Sequence, residues 1–235
     1  MRMSLPLVIR GGMSEQDWEP LSWSPDAWSH NITSDMVSVR YGDRNPGHSH
    51  PQWERNTSVK KIKISDYLNQ DWRRTNIDSD QWTYFDYQYM HQVMSSDTLA
   101  KFPWDKFGLV GRDGSDSTLW MGTHGAHTPC HQDSYGCNLV CQVAGSKTWT
   151  LFPPDDSQHL SPTRVPYEES SVYSRINFIS LEYNSQSTLD CLKQATCYQV
   201  TLEPGDVLYV PRHWWHHVVT TSDWSISVNT WVPCR

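Results

Sequence analysis

The sequence predicts a mainly β fold, a double-sheet β-barrel with helices packed outside. Three observations predict it. Short alternating segments crowd the second half, Gly and Pro turn signals separate them, and helix signals are confined to the front. The 235 residues suffice for one domain that buries a core without disulfides. We expect a single domain over 1–235, with a mixed α/β part (1–116) packing on a barrel core (117–233).

Taken in order, Ser14 before Glu15, Gln16 and Asp17 predicts a short capped helix, and Ser24-Pro25 predicts a second helix start. Val37, Val39 and Tyr41 share one face of a strand over 36–41, and residues 43–57 read as a loop. Ile62 and Ile64 alternate, and Ser65 is expected to cap a helix to about Trp72. A strand over 81–86 leads into a helix to about Leu99. Strands follow over 117–123, 138–143 and 147–152, the last two joined as a hairpin through Gly145-Ser146. Residues 155–197 read as a long irregular insertion. Pro204-Gly205 turns into a strand over 207–210, and Ile226 and Val228 alternate with Ser225, Ser227 and Asn229 in the closing strand.

Composition excludes several classes. The net charge is −7 and no basic block stands out, so nucleic acid is not an expected partner. The Lys60-Lys61-x-Lys63 run reads as a solvated strand face. No apolar run approaches the ~20 residues of a membrane helix, and no membrane partner is expected. The 6 Cys form no C-x-x-C pair, which fits a reducing compartment. A cytoplasmic protein is expected, with nuclear entry open to a chain of this size.

Two segments carry chemistry. In Thr128-Pro129-Cys130-His131-Gln132-Asp133, an extended chain points His131 and Asp133 to one side. In Pro211-Arg212-His213-Trp214-Trp215-His216-His217-Val218, a second imidazole arrives from a distant strand. Two His and one carboxylate fill one face of an octahedral Fe(II) and leave three positions open. Two can take the keto-acid end of 2-oxoglutarate and the third O2. Adjacent strand residues face opposite sides, so either His216 or His217 points inward, and spacing does not choose. Lys147 is the next candidate, because a Lys inside a barrel must meet an anion. The distal carboxylate of 2-oxoglutarate is such an anion, and Thr128 can add a hydroxyl. Trp149, Trp214, Trp215 and Trp231 read mainly as core or rim packing, and Cys130 as a small buried apolar group.

These segments resemble the JmjC (cupin-fold, jelly-roll) 2-oxoglutarate oxygenases. The stretch Gly125–Pro154 resembles that family's Thr-Pro-x-His-x-Asp, Asn, Gly-x-Lys and Leu-Phe-Pro-Pro series, and 204–218 and 227–231 resemble its later strands. Arg164–Ser171, with Cys137-Asn138-Leu139 and 211–215, resembles the branch associated with small heat-shock proteins. The resemblance implies a double-stranded β-helix and makes His131, Asp133 and His216 the iron ligands, so it favours the first His of the pair. It also implies Thr128 and Lys147 on the 2-oxoglutarate carboxylate, with Asn138 and Asn229 lining the same pocket. Tyr84 would contact 2-oxoglutarate, with Tyr89 a rival. The implied activity is Fe(II)- and 2-oxoglutarate-dependent hydroxylation of a protein or peptide side chain by O2. A non-catalytic scaffold binding a small heat-shock protein, a lysine demethylase, and a metal-binding cupin without a keto acid are the alternatives.

Overall fold

The computed structural model describes residues 4–53, 56–68, 80–165 and 171–233. Among them run β1 (Leu7–Ile9), β2 (Met36–Asp43), β3 (Ser58–Lys63), β4 (Gln81–Tyr89), β5 (Ser117–Thr123), β6 (His127–Asp133) and β7 (Gly136–Ala144). Then come β8 (Lys147–Phe152), β9 (Pro162–Thr163), β10 (Ser171–Ser174), β11 (Tyr198–Leu202), β12 (Val207–Val210), β13 (Trp215–Thr220) and β14 (Trp224–Pro233). Two antiparallel sheets result, in the orders β1-β12-β7-β14-β5-β4-β2-β3 and β11-β8-β13-β6-β10-β9. They face each other as the jelly-roll expectation requires. The front 116 residues do more than pack on the barrel, because β1 to β4 are strands of its larger sheet.

Strand alternation decides where everything goes. On the large sheet, Phe85, Leu119, Met121, Leu139, Cys141, Val143, Ile226 and Val228 point outward into one buried cluster with Trp18, Trp28, Phe102 and Trp104. That cluster is the main core, roofed by the N-terminal helical layer. The intervening residues, among them Tyr84, Asn138, Ser227 and Asn229, point into the space between the sheets. On the small sheet the outer face buries Cys130, Phe152 and Trp215 under Leu160 and Ile176 of the insertion.

Several sequence expectations change. The 138–143 and 147–152 strands form no hairpin: β7 pairs with β12 and β14, whereas β8 pairs with β11 and β13. The Gly145 turn carries the chain from one sheet to the other. Its φ of +60° suits glycine, and a Cβ there would collide with the Trp224 carbonyl. The Ser14 segment is a single turn, in which the Ser14 hydroxyl donates to Asp17 Oδ2 at 2.7 Å. Ser65 lies inside a short helical turn, Ile64–Asp66, that it does not cap, and residues 69–72 of that expected helix lie outside the described residues. The helix expected to reach Leu99 is two turns, α1 (Met90–Val93) and α2 (Ser96–Leu99), the second capped by Ser95. The Pro25–Asn31 helix forms as read, with Ser24 Oγ accepting from the Ala27 amide. Short helices gain little by themselves, and packing sets their length. The 155–197 insertion is not irregular throughout: β10 extends the small sheet on β6. Among the described residues no helix is long and apolar enough to cross a membrane.

Candidate metal centre

β6 and β13 build the centre between them. His131 and Asp133 alternate inward on β6, and the antiparallel register sets His216 directly opposite His131. Their rings are 4.2 Å apart at the centroids. One ligand atom from each of His131, Asp133 and His216 lies within 4.8 Å of the others. His131 Nε2 is 3.5 Å from Asp133 Oδ1, and His216 Nε2 is 3.9 Å from Oδ2.

The other ring nitrogens settle the tautomers. His131 Nδ1 lies 2.9 Å from the Pro129 carbonyl and His216 Nδ1 lies 3.0 Å from the Trp214 carbonyl. A carbonyl only accepts, so each Nδ1 carries the proton and each Nε2 lone pair faces the centre. Burial pushes the His216 imidazole down to about 4, with the His131 charge acting the same way, so it stays neutral. Burial alone would raise the Asp133 carboxyl, but its contacts with His131, His216 and the Trp231 indole hold it well below the usual range. Two imidazoles that turn Nε2 to the centre and one carboxylate, mostly buried, are the donor set that a divalent first-row metal takes.

These three groups line a cavity of about 310 Å³ between the sheets. Lys147 lines it too, buried at 2% exposure. Its ammonium donates to Ser227 Oγ at 2.8 Å and to Tyr84 Oη at 3.2 Å. Both partners are neutral, and burial pulls the Lys147 pKa down to about 7. Thr128 also hydrogen-bonds the Tyr84 hydroxyl. Lys147, Tyr84, Thr128 and Ser227 therefore converge on one spot with donors and no carboxylate of their own. Beside the metal residues, Asn229 Nδ2 donates to Asn138 Oδ1 at 2.8 Å, and Trp120 Nε1 donates to Asn229 Oδ1 at 2.7 Å.

Every sequence-predicted site residue thus lines one cavity. Tyr84 is inside it, whereas Tyr89 is an exposed residue outside it. His217 turns to the far side, stacked 5.4 Å from Phe178. Sequence reading gave no site role to Ser227, Tyr87, Tyr135, Tyr173, Arg40 and Asp86, which also line the cavity. Ser227 was readable, since it alternates with Asn229. Tyr87 was not, because an extra residue in β4 between Phe85 and Gln88 shifts the pairing with β5, and Tyr87 takes a φ of +52°. Tyr173 comes from the insertion and stacks 5.5 Å from His131.

The chain is 41% identical over 229 residues to "HSPB1-associated protein 1" of Mus musculus, covering 92% of this chain and 46% of that protein. It is 42% identical over 230 residues to the "HSPB1-associated protein 1 homolog" of Danio rerio, covering 92% and 49%. A 116-residue stretch is 35% identical to "Jumonji C domain-containing protein 5" of Drosophila melanogaster, covering 49% of this chain and 27% of that one. The chain spans about half the length of the HSPB1-associated relatives. The cupin-like domain family matches residues 1–232, and with these relatives, sheets and motifs the chain belongs to that family as a JmjC-type member.

Proposed function

We propose that the protein is an Fe(II)- and 2-oxoglutarate-dependent oxygenase that hydroxylates a side chain of a protein or peptide. The observation that carries this is the pairing, in one cavity, of the His131-Asp133-His216 set with a buried Lys147 whose partners are neutral. A metal-only cupin has no need of that ammonium. When bound, Fe(II) and 2-oxoglutarate supply oxidation of a C–H bond by O2, with succinate and CO2 as co-products.

The chain's own part is binding and orientation. His131 and His216 present Nε2 because Pro129 and Trp214 hold their Nδ1 protons. Lys147 neutralises the far carboxylate of the keto acid, and Tyr84 and Thr128 add hydroxyl donors. Asn138 and Asn229 order the wall next to the metal. The rings of Trp149 and Tyr173, stacked on His216 and His131, keep bulk water from both imidazoles.

The test is 2-oxoglutarate binding to anaerobic, Mn(II)-loaded protein beside His131→Ala and Lys147→Ala. Metal-dependent binding lost in both variants supports the reading. Metal uptake without 2-oxoglutarate binding overturns it in favour of other cupin chemistry. A second reading rests on the relatives' names: a small heat-shock protein is a partner, as substrate or as cargo of a scaffold. Absence of both metal and 2-oxoglutarate binding would leave the scaffold. A cytoplasmic location fits either reading.

A further inference from the structure

This inference rests on the metal reading above. We infer that Trp231 is a positioning residue for Asp133, and that it joins the aromatic mouth of the cavity to the metal centre. The indole N–H of Trp231 donates to Asp133 Oδ2 at 3.0 Å. Oδ2 is thereby engaged, and Oδ1 is left as the oxygen that faces His131 Nε2. A carboxylate free to rotate would exchange its two oxygens; the indole removes that freedom.

Three further observations fix the indole itself. Its backbone carbonyl accepts from Arg112 Nη1 at 2.8 Å, and Arg112 also donates to Thr230 Oγ1 at 3.1 Å. The register sets Trp231 opposite Asn138 on β7. Its ring packs against Tyr87 at 5.7 Å and Tyr135 at 5.5 Å between centroids. Tyr87 is 42% exposed and Tyr135 38% exposed. Both line the cavity where it meets solvent, and Tyr87 is aimed there by the β4 bulge at a positive φ. A group pressing on that rim bears on a side chain that donates to Asp133. An indole placed for packing alone would have no need to reach Oδ2.

The experiment measures Co(II) affinity and the visible Co(II) spectrum of the anaerobic full chain, without turnover. Trp231→Phe keeps an aromatic ring and deletes the N–H. A second variant carries benzothienylalanine at position 231, which keeps the bicyclic shape and loses only the donor, so a folding failure of Trp231→Phe does not stop the test. Both are expected to weaken Co(II) binding by roughly 10-fold and to shift the ligand-field bands. Tyr87→Ala is expected to move the spectrum in the same direction by less. If the wild type takes up Co(II) and both 231 variants match it in affinity and spectrum, Trp231 is packing and this inference falls alone. If the wild type takes up no Co(II), the metal reading falls first and takes this one with it.

Discussion

The two faces of the large sheet use the same strands for opposite purposes. Ile226 and Val228 of β14 point out into a dry layer of Trp18, Trp28, Phe102 and Trp104. Ser227, Asn229 and Trp231 of the same strand point in, toward Lys147, Asn138 and Asp133. In an ordinary sandwich the apolar faces meet between the sheets. Here the larger apolar face of the large sheet is turned to the helical roof; between the sheets a smaller apolar cluster, Val140, Leu208 and Val210 against Trp149, Leu151 and Val218, closes one end, and the part around Lys147 and Asp133 is left polar. Much of the packing lies outside the barrel, and the polar part of the inside is left to bind.

That division predicts which substitutions cost stability and which cost binding. The largest effect is expected in the roof. Phe102 is fully buried and packs edge-on to Trp18 at 5.3 Å between centroids. Phe102→Ala should cost about 3–5 kcal/mol, lowering Tm by roughly 10 °C at this chain length. Mn(II) affinity of the folded fraction should not change. Calorimetry beside a metal titration checks both, and a loss of metal affinity at temperatures where the variant is folded would break the division.

The next effect lies on the inner face. Lys147→Met removes a buried cation whose partners are Ser227 and Tyr84. The metal-free fold should lose nothing and can gain, because among the described residues the cation is buried without a countercharge. Binding of 2-oxoglutarate should fall by about 100-fold, equivalent to about 3 kcal/mol, for the loss of a buried charge partner. Equal destabilisation by Lys147→Met and Phe102→Ala would show that both faces are structural.

How much of this was legible depended on whether the deciding contact is local. The H-x-D pair and the β14 alternation were readable, since each follows from i, i+2 parity within one strand. The choice of His216 over His217 was not readable from spacing. It is made by the pairing of His216 with His131, 85 positions away in the chain (216 − 131). Tyr87 breaks parity through a bulge that no residue pattern marked. The Gly145-Ser146 turn looked like a hairpin because its residues suit one. The sheet to which β8 belongs is decided by β11 and β13, long-range partners that a turn signal does not contain. Tyr173 reached the site because the insertion adds β10 beside β6.

A third, smaller effect sharpens the inner face by pH. Burial lowers the Lys147 pKa from 10.5 to about 7. The sign follows: below about pH 7 the ammonium is already charged and meets the dicarboxylate directly. Above it, the free protein holds a neutral amine that must take up a proton to bind. Affinity for 2-oxoglutarate should therefore fall as pH rises from 7, by up to about 10-fold per unit. Lys147→Met should flatten that slope. In the metal-free fold the linkage runs the other way: between pH 7 and 10.5 the unfolded chain binds more protons, so this group's contribution to stability rises with pH. An affinity that does not vary between pH 7 and 9 would place the ammonium away from the ligand.

The smallest effect belongs to the far edge of the large sheet. β3 is its last strand, and Lys60, Lys61 and Lys63 on it are exposed. Lys61→Gln touches neither the roof nor the cavity, so stability should change by less than about 0.5 kcal/mol and Mn(II) affinity should not move. Yet among the described residues β3 has a strand on one side only, beside Val59, which is 55% exposed, and charge is what keeps such an edge from pairing with another chain. Replacing Lys61 and Lys63 by Gln, with Lys60 kept over the Tyr41 ring, should leave Tm unchanged while raising light scattering with protein concentration. If scattering stays flat, the lysines are solvated side chains with no protective role. If metal binding changes, the edge and the cavity are coupled through the sheet, and the separation of the two faces is less complete than their packing implies.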